Sequence, residues 1–137
     1  MQAVRVLYEF GYNLKMRTKT ILCVDDDDQI RDLLRAFLEM KGCEVVTASD
    51  AKSAAAAIAK KKPDLILLDL NMSTVGDPLD TLCGGNRRNP IPIILISGDS
   101  SPETVARVEK YHVQDFLPKP FSFDELEKRI AKVFQGK

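Results

Sequence analysis

The chain has 137 residues, with 20 Lys and Arg against 20 Asp and Glu and a single His, so its formal net charge is zero. That length suits one domain, and 45% hydrophobic with 29% charged residues supports an ordinary core and excludes a disordered tail. Balanced charge argues against a general nucleic-acid binder, the longest apolar runs (Ala54 to Ala59, Ile91 to Ile96) are too short for a bilayer, and no early run resembles a signal peptide.

Ahead of the first strong pattern, the segment before Met16 reads as an extension with no role legible in the sequence. The alternative is that Val4 to Phe10 forms an extra strand or helical arm that packs on the domain or on a second subunit. The apolar run Ile21 to Val24 predicts a strand, followed by Asp25-Asp26-Asp27-Asp28. Ile30, Leu33, Leu34, Phe37 and Leu38 then trace a helical stripe that Gly42 stops. Glu44 to Ala48 predicts a second strand, and Ser49 caps an alanine-rich helix ending at Lys60 to Lys62, before Pro63. Leu65 to Leu68 is the third strand. From Pro78 to Pro90, Gly84, Gly85 and Asn86 break the only available pattern, so the third helix is expected to be short or irregular. Ile91 to Ile96 is the fourth strand, and Ser100 with Glu103 has the capping-box spacing for the helix after it, with His112 near that helix's end. Asp115 to Leu117 is the fifth. Ser122 with Glu125 then opens a last helix that buries Leu126, Ile130, Val133 and Phe134. The odd set Cys23, Cys43 and Cys83 reads as reduced thiols of a cytoplasmic protein.

Successive apolar runs start 21 to 26 residues apart, room for one strand, one crossover helix and two turns. Rich in Ile, Val and Leu without polar alternation, they suit parallel strands covered on both faces. Five βα repeats predict an α/β fold, a flavodoxin-like doubly wound sheet of five parallel strands in order 2-1-3-4-5 with five helices. Strands 1 and 3 are then neighbours at the topological switch point, where ligands sit.

The predicted strand ends carry polar residues of one chemical kind. Asp25 and Asp26 end strand 1, Asp69 and Asn71 strand 3, Ser97, Gly98 and Asp99 strand 4, and Lys119 strand 5. Alone, each has an ordinary explanation as a helix cap, a turn residue or a solvated charge. Together they gather two or three carboxylates (Asp25 or Asp26, or both, with Asp69), a hydroxyl and an ammonium group in one crevice. Two like charges about 4 Å apart repel by about 4 kcal/mol at an effective dielectric near 20. Lys119 offsets only one of the three acids, and a divalent cation would neutralise the rest. Oxygen-only ligands favour Mg²⁺ over zinc. A carboxylate nucleophile beside Mg²⁺, with a Lys and a Ser for phosphoryl oxygens, is equipment for phosphoryl transfer to Asp.

The chain resembles the receiver domain of two-component response regulators in Ile21 to Asp28, Pro63 to Met72, Ile93 to Gly98 and Asp115 to Phe121. The similarity spans about residues 19–134, leaving 1–18 as an N-terminal extension and 135–137 as a tail. The resemblance implies that Asp69 accepts the phosphoryl group. It implies that Asp26, Asp69 and the Asn71 carbonyl ligate Mg²⁺, with Asp25 acting through water. Lys119, ahead of a cis bond to Pro120, would pair with phosphoryl oxygens, Ser97 would move to the phosphoryl group, and Phe116 would turn inward with it. Asn71 and Asp99 would tune dephosphorylation. The implied donor is a histidine kinase or a histidine phosphotransfer protein, and an unknown downstream protein would bind the helix 4–strand 5–helix 5 face. No nucleic acid or membrane partner is expected. With only Gln135, Gly136 and Lys137 after the last helix, the expectation is a single-domain response regulator, not an enzyme on other substrates. The alternative is a pseudo-receiver that binds a partner without phosphorylation. Against the family pattern, Ser73 replaces a Pro, Gly76 and Asp77 stand in reversed order, and His112 replaces a small Gly.

Overall fold

The computed structural model describes residues 11–72, 78–83, 91–111 and 113–135. Five strands and five helices alternate: β1 (Thr20–Val24), α1 (Asp28–Met40), β2 (Glu44–Ala48), α2 (Ala51–Lys60), β3 (Leu65–Asp69), α3 (Pro78–Cys83), β4 (Ile93–Ser97), α4 (Pro102–Glu109), β5 (Asp115–Pro118) and α5 (Phe123–Gln135). All the strands are parallel, in the order β2-β1-β3-β4-β5. The sheet is therefore the flavodoxin-like one expected, and α3 is a short helix of six residues.

Alternate strand residues feed two cores. Ile21, Cys23, Leu65, Leu67, Ile94, Ile96 and Leu117 face α1 and α5, where Leu34, Leu38, Leu126, Ile130 and Phe134 meet them. Leu22, Val24, Ile66, Leu68, Ile93 and Leu95 face the other way, toward Ala54 of α2, Leu79 of α3 and Val108 of α4. β1, β3 and β4 are buried on both faces, which explains their unbroken apolar runs.

Three sequence expectations shift. Asp50, not Ser49, caps α2, because its carboxylate accepts the Ser53 N–H at 2.7 Å while Ser53 Oγ receives the Asp50 N–H, a reciprocal box. Ser101, not Ser100, caps α4, because Pro102 occupies the start of the helix and Ser101 Oγ accepts from Thr104 N. The α1 stripe is only partly buried: Leu34 and Leu38 are covered, whereas Ile30 is 37% and Leu33 53% exposed. The Ser122–Glu125 cap forms as expected. Gly42 closes α1 at φ +99°, where a Cβ would lie 2.8 Å from the Tyr12 ring.

Part of the predicted N-terminal extension belongs to the folded body. Met16 is fully buried in the α1/α5 core. Asn13 Nδ2 donates to Glu127 Oε2 at 2.7 Å and Asn13 N to the Lys41 carbonyl at 3.1 Å, tying the end of α1 to α5. Lys41 also pairs with Glu127 at 3.2 Å. The predicted arm Val4 to Phe10, the family departures at Ser73, Gly76 and Asp77, the Gly84–Asn86 break and His112 all lie outside the described residues. Among the described residues no helix is long and apolar enough to cross a membrane.

Candidate functional site

Val24 of β1 pairs with Leu68 of β3, so the residues that follow, Asp25 and Asp69, emerge side by side. Asp69 continues the Leu65–Leu67 face and Asp25 the Ile21–Cys23 face, which are the same side of the sheet. Asp25, Asp26 and Asp69 each bring a carboxylate oxygen within 4.8 Å of the others. Asp25 and Asp69 are buried and Asp26 is exposed, so the cluster opens to solvent on one flank.

β4 lies on the other side of β3, with Asp69 level with Ile96, and β5 follows with Pro118 level with Ser97. This places Lys119 against the acids: its Nζ donates to Asp69 Oδ1 at 3.2 Å. The Lys119–Pro120 bond is cis, as the resemblance implied. Asp69 Oδ1 also accepts the Asn71 N–H at 3.0 Å, and the Asn71 side-chain oxygen accepts the Gly98 N–H at 3.0 Å, joining the ends of β3 and β4. Ser97 is buried. Its hydroxyl accepts the Asp99 N–H at 3.0 Å and donates to the Asp99 carbonyl at 3.3 Å.

Burial pushes the Asp25 carboxyl up to about 6; the Asp27 N–H on Asp25 Oδ1 opposes this, the charge of Asp69 adds to it and Lys119 opposes it. Three carboxylates within reach of one another leave their mutual repulsion only partly offset by the Lys119 ammonium. The donor set is all oxygen and partly open, which fits a hard divalent cation such as Mg²⁺.

The structure thus gathers Asp25, Asp26, Asp69, Asn71 and Lys119 as the sequence predicted, with Ser97 at the neighbouring strand end. Two predicted residues face elsewhere. The Asp99 carboxylate is taken up by α4, accepting from Ser101 N at 2.9 Å and Thr104 Oγ1 at 2.7 Å, which holds it below the usual carboxylate range. Phe116 is half-buried against the α2–α3–α4 core. Beside it runs a groove of about 700 Å³ lined by Val105, Val108, Glu109, Val113 and Pro118. Sequence reasoning passed over Arg31, whose Nη1 donates to the Asp25 carbonyl at 2.6 Å and whose Nη2 pairs with Asp28. The available signal was its i+3 spacing from Asp28 in the first turns of α1.

A doubly wound 2-1-3-4-5 sheet with clustered acids and a lysine at its strand ends defines a class, and comparison with known proteins agrees. The chain belongs to the response regulator receiver domain family of two-component signalling, whose model matches residues 21–131. It is 36% identical over 116 residues to the CAI-1 autoinducer sensor kinase/phosphatase CqsS of Vibrio cholerae, covering 82% of this chain and 17% of that protein. To the phosphate regulon transcriptional regulatory protein PhoB of Pseudomonas aeruginosa it is 35% identical over 119 residues, covering 85% and 52%. The chain therefore spans about half or less of these relatives' lengths. Among solved structures it resembles NtrX from Brucella abortus, with a TM-score of 0.77 at 35% identity over 87% of this chain and 27% of that one. It also resembles the chemotaxis protein CheY4 of Vibrio cholerae, with a TM-score of 0.76 at 28% identity over 85% and 98%.

Proposed function

We propose that this chain is a phosphorylatable receiver in which Asp69 accepts a phosphoryl group in a Mg²⁺-dependent reaction and thereby changes which protein it binds. The observation that carries this reading is the Asp69 carboxylate itself, buried at a strand end between two acids and the Lys119 ammonium. Lys119 and Asn71 N–H hold Oδ1, and Oδ2 is the oxygen we assign to attack. The Oδ2–P bond forms as the P–N bond of a phosphohistidine breaks, and the leaving imidazole keeps its electron pair and takes a proton. Asp25, Asp26, Asp69 and the Asn71 carbonyl would hold Mg²⁺, whose charge offsets that of the transferring group. Lys119 then follows a phosphoryl oxygen.

Ser97 is the hydroxyl that turns to the phosphoryl group, leaving the Asp99 backbone it now bonds, and Phe116 moves into the space beside it. Asn71 and Asp99 set the phosphoryl lifetime, Asp99 through the α4 cap that its carboxylate anchors. The donor is a histidine kinase or phosphotransfer protein, and the downstream protein docks on the α4–β5–α5 face with its groove beside Phe116. The chain acts in the cytoplasm and on no substrate besides its own aspartate. Intact-mass measurement after incubation with acetyl phosphate and Mg²⁺ tests this. One phosphoryl group is expected on wild type and none on Asp69→Asn. A wild type that gains no mass is a protein-binding module only, and an equally labelled Asp69→Asn overturns the acceptor.

A further inference from the structure

Four consecutive aspartates, Asp25 to Asp28, run from the end of β1 into the first residue of α1 with like charges that push apart, yet two of them must face Asp69. The peptide entering Asp25 is held by the sheet, since Asp25 N donates to the Ala48 carbonyl at 3.1 Å. The peptide leaving it is held by α1, because Arg31 Nη1 donates to the Asp25 carbonyl at 2.6 Å while Nη2 pairs with Asp28. The Arg31 side chain is 17% exposed, packed in this grip and not ranging through solvent. The Asp25 carbonyl and the Asp26 N–H share one rigid peptide plane, so a guanidinium on that carbonyl sets the direction in which Asp26 departs. Arg31 is suited to this by its planar fork, which reaches a carbonyl and a carboxylate together.

We infer that Arg31 is a positioning residue, gripping the β1–α1 loop so that Asp25 and Asp26 present their carboxylates toward Asp69 for a divalent cation. The inference rests on the cation-site reading of the proposed function. Charge and positioning separate by sign. A guanidinium near the acids repels a dication, so losing its charge alone tightens Mg²⁺ binding, whereas losing the loop's geometry weakens it.

Groups that orient metal ligands from behind typically matter tenfold or more in affinity, so Arg31→Gln is expected to bind Mg²⁺ about tenfold more weakly. The measurement is calorimetric titration of the full chain with Mg²⁺, alongside a urea midpoint without metal that shows the variant folded. Arg31→Lys keeps the charge but not the fork. It is expected to bind more weakly than wild type too, and it decides the matter if Arg31→Gln does not fold. Equal or tighter Mg²⁺ binding by the folded variant, beside a wild type that binds, overturns the positioning role and leaves the site reading intact. A wild type that binds no Mg²⁺ overturns the site reading and this inference with it.

Discussion

Lys119 touches Asp69, whereas the Ser97 hydroxyl is committed to the backbone of Asp99, so loss of each side chain should read out differently. Removing a charged donor aimed at a transferring group costs about 10²-fold in rate, so Lys119→Ala is expected to slow labelling by acetyl phosphate to that degree. Ser97→Ala is expected to label close to wild type but to show a smaller change in hydrogen exchange across residues 100–121 when phosphorylated. Equal exchange changes in Ser97→Ala and wild type would remove Ser97 from the switch. The cysteines offer a second check at this scale. Burial pushes the Cys23 and Cys43 thiols up to about 12, leaving little thiolate at neutral pH. Both should resist alkylation in the native protein at pH 8 and react on unfolding, as peptide mapping of each cysteine would show.

Among the elements, the segment before β1 shows what a family pattern can miss. Met16 lies outside the matched residues 21–131, yet it fills the space between α1 and α5. Met16→Ala should therefore destabilise by about 2–5 kcal/mol, the usual range for emptying a buried methionine site, as measured by urea unfolding. A change below about 0.5 kcal/mol, the level of an exposed site, would place Met16 outside the core. The α2 cap gives a pH-dependent signature. Hydrogen bonds from Ser53 hold the Asp50 carboxyl below its ordinary value. A depressed carboxyl stabilises the fold above its unfolded pKa, about 3.9, and that contribution is lost as pH falls through the lower folded value. Asp50→Ala should thus be less stable than wild type at pH 7, with the difference narrowing as melts are taken at pH values progressively below the unfolded value. A gap unchanged across that range would show that the cap's contribution does not depend on the carboxylate charge.

Across the whole molecule, the site and the fold pull against each other. Asp25, Asp26 and Asp69 crowd the strand ends with the Lys119 pair set against their repulsion, and Lys119 is partly exposed. Asp69→Asn keeps the shape and deletes one charge, so the metal-free protein is expected to gain about 1 kcal/mol, well under the unscreened pair energy because solvent reaches the crevice. Mg²⁺ at a hundredfold excess over its dissociation constant should stabilise wild type by about 2.7 kcal/mol, and Asp69→Asn by less. Urea melts of both proteins with and without Mg²⁺ check this. A metal-free Asp69→Asn less stable than wild type would make the acids satisfied structural groups.

The sheet and its order were legible in sequence because doubly buried parallel strands write themselves as unbroken runs such as Leu65 to Leu68, at a spacing only crossover helices fit. Asp25, Asp69, Ser97 and Lys119 were legible because a parallel sheet brings all its strand ends to one edge, so position along the chain already implied proximity. Helix caps slipped by one residue at Ser49 and Ser100, since adjacent Ser and Asp side chains compete for the same N–H groups and only backbone geometry chooses between them. The placement of Met16 in the core was decided by tertiary structure alone. The grip of Arg31 on the Asp25 carbonyl and the commitment of Asp99 to α4 span only a few residues of chain and turn on which way each side chain points. Each depends on the direction of a single side chain, and directions are set by the neighbours that packing brings, which periodicity and spacing do not encode.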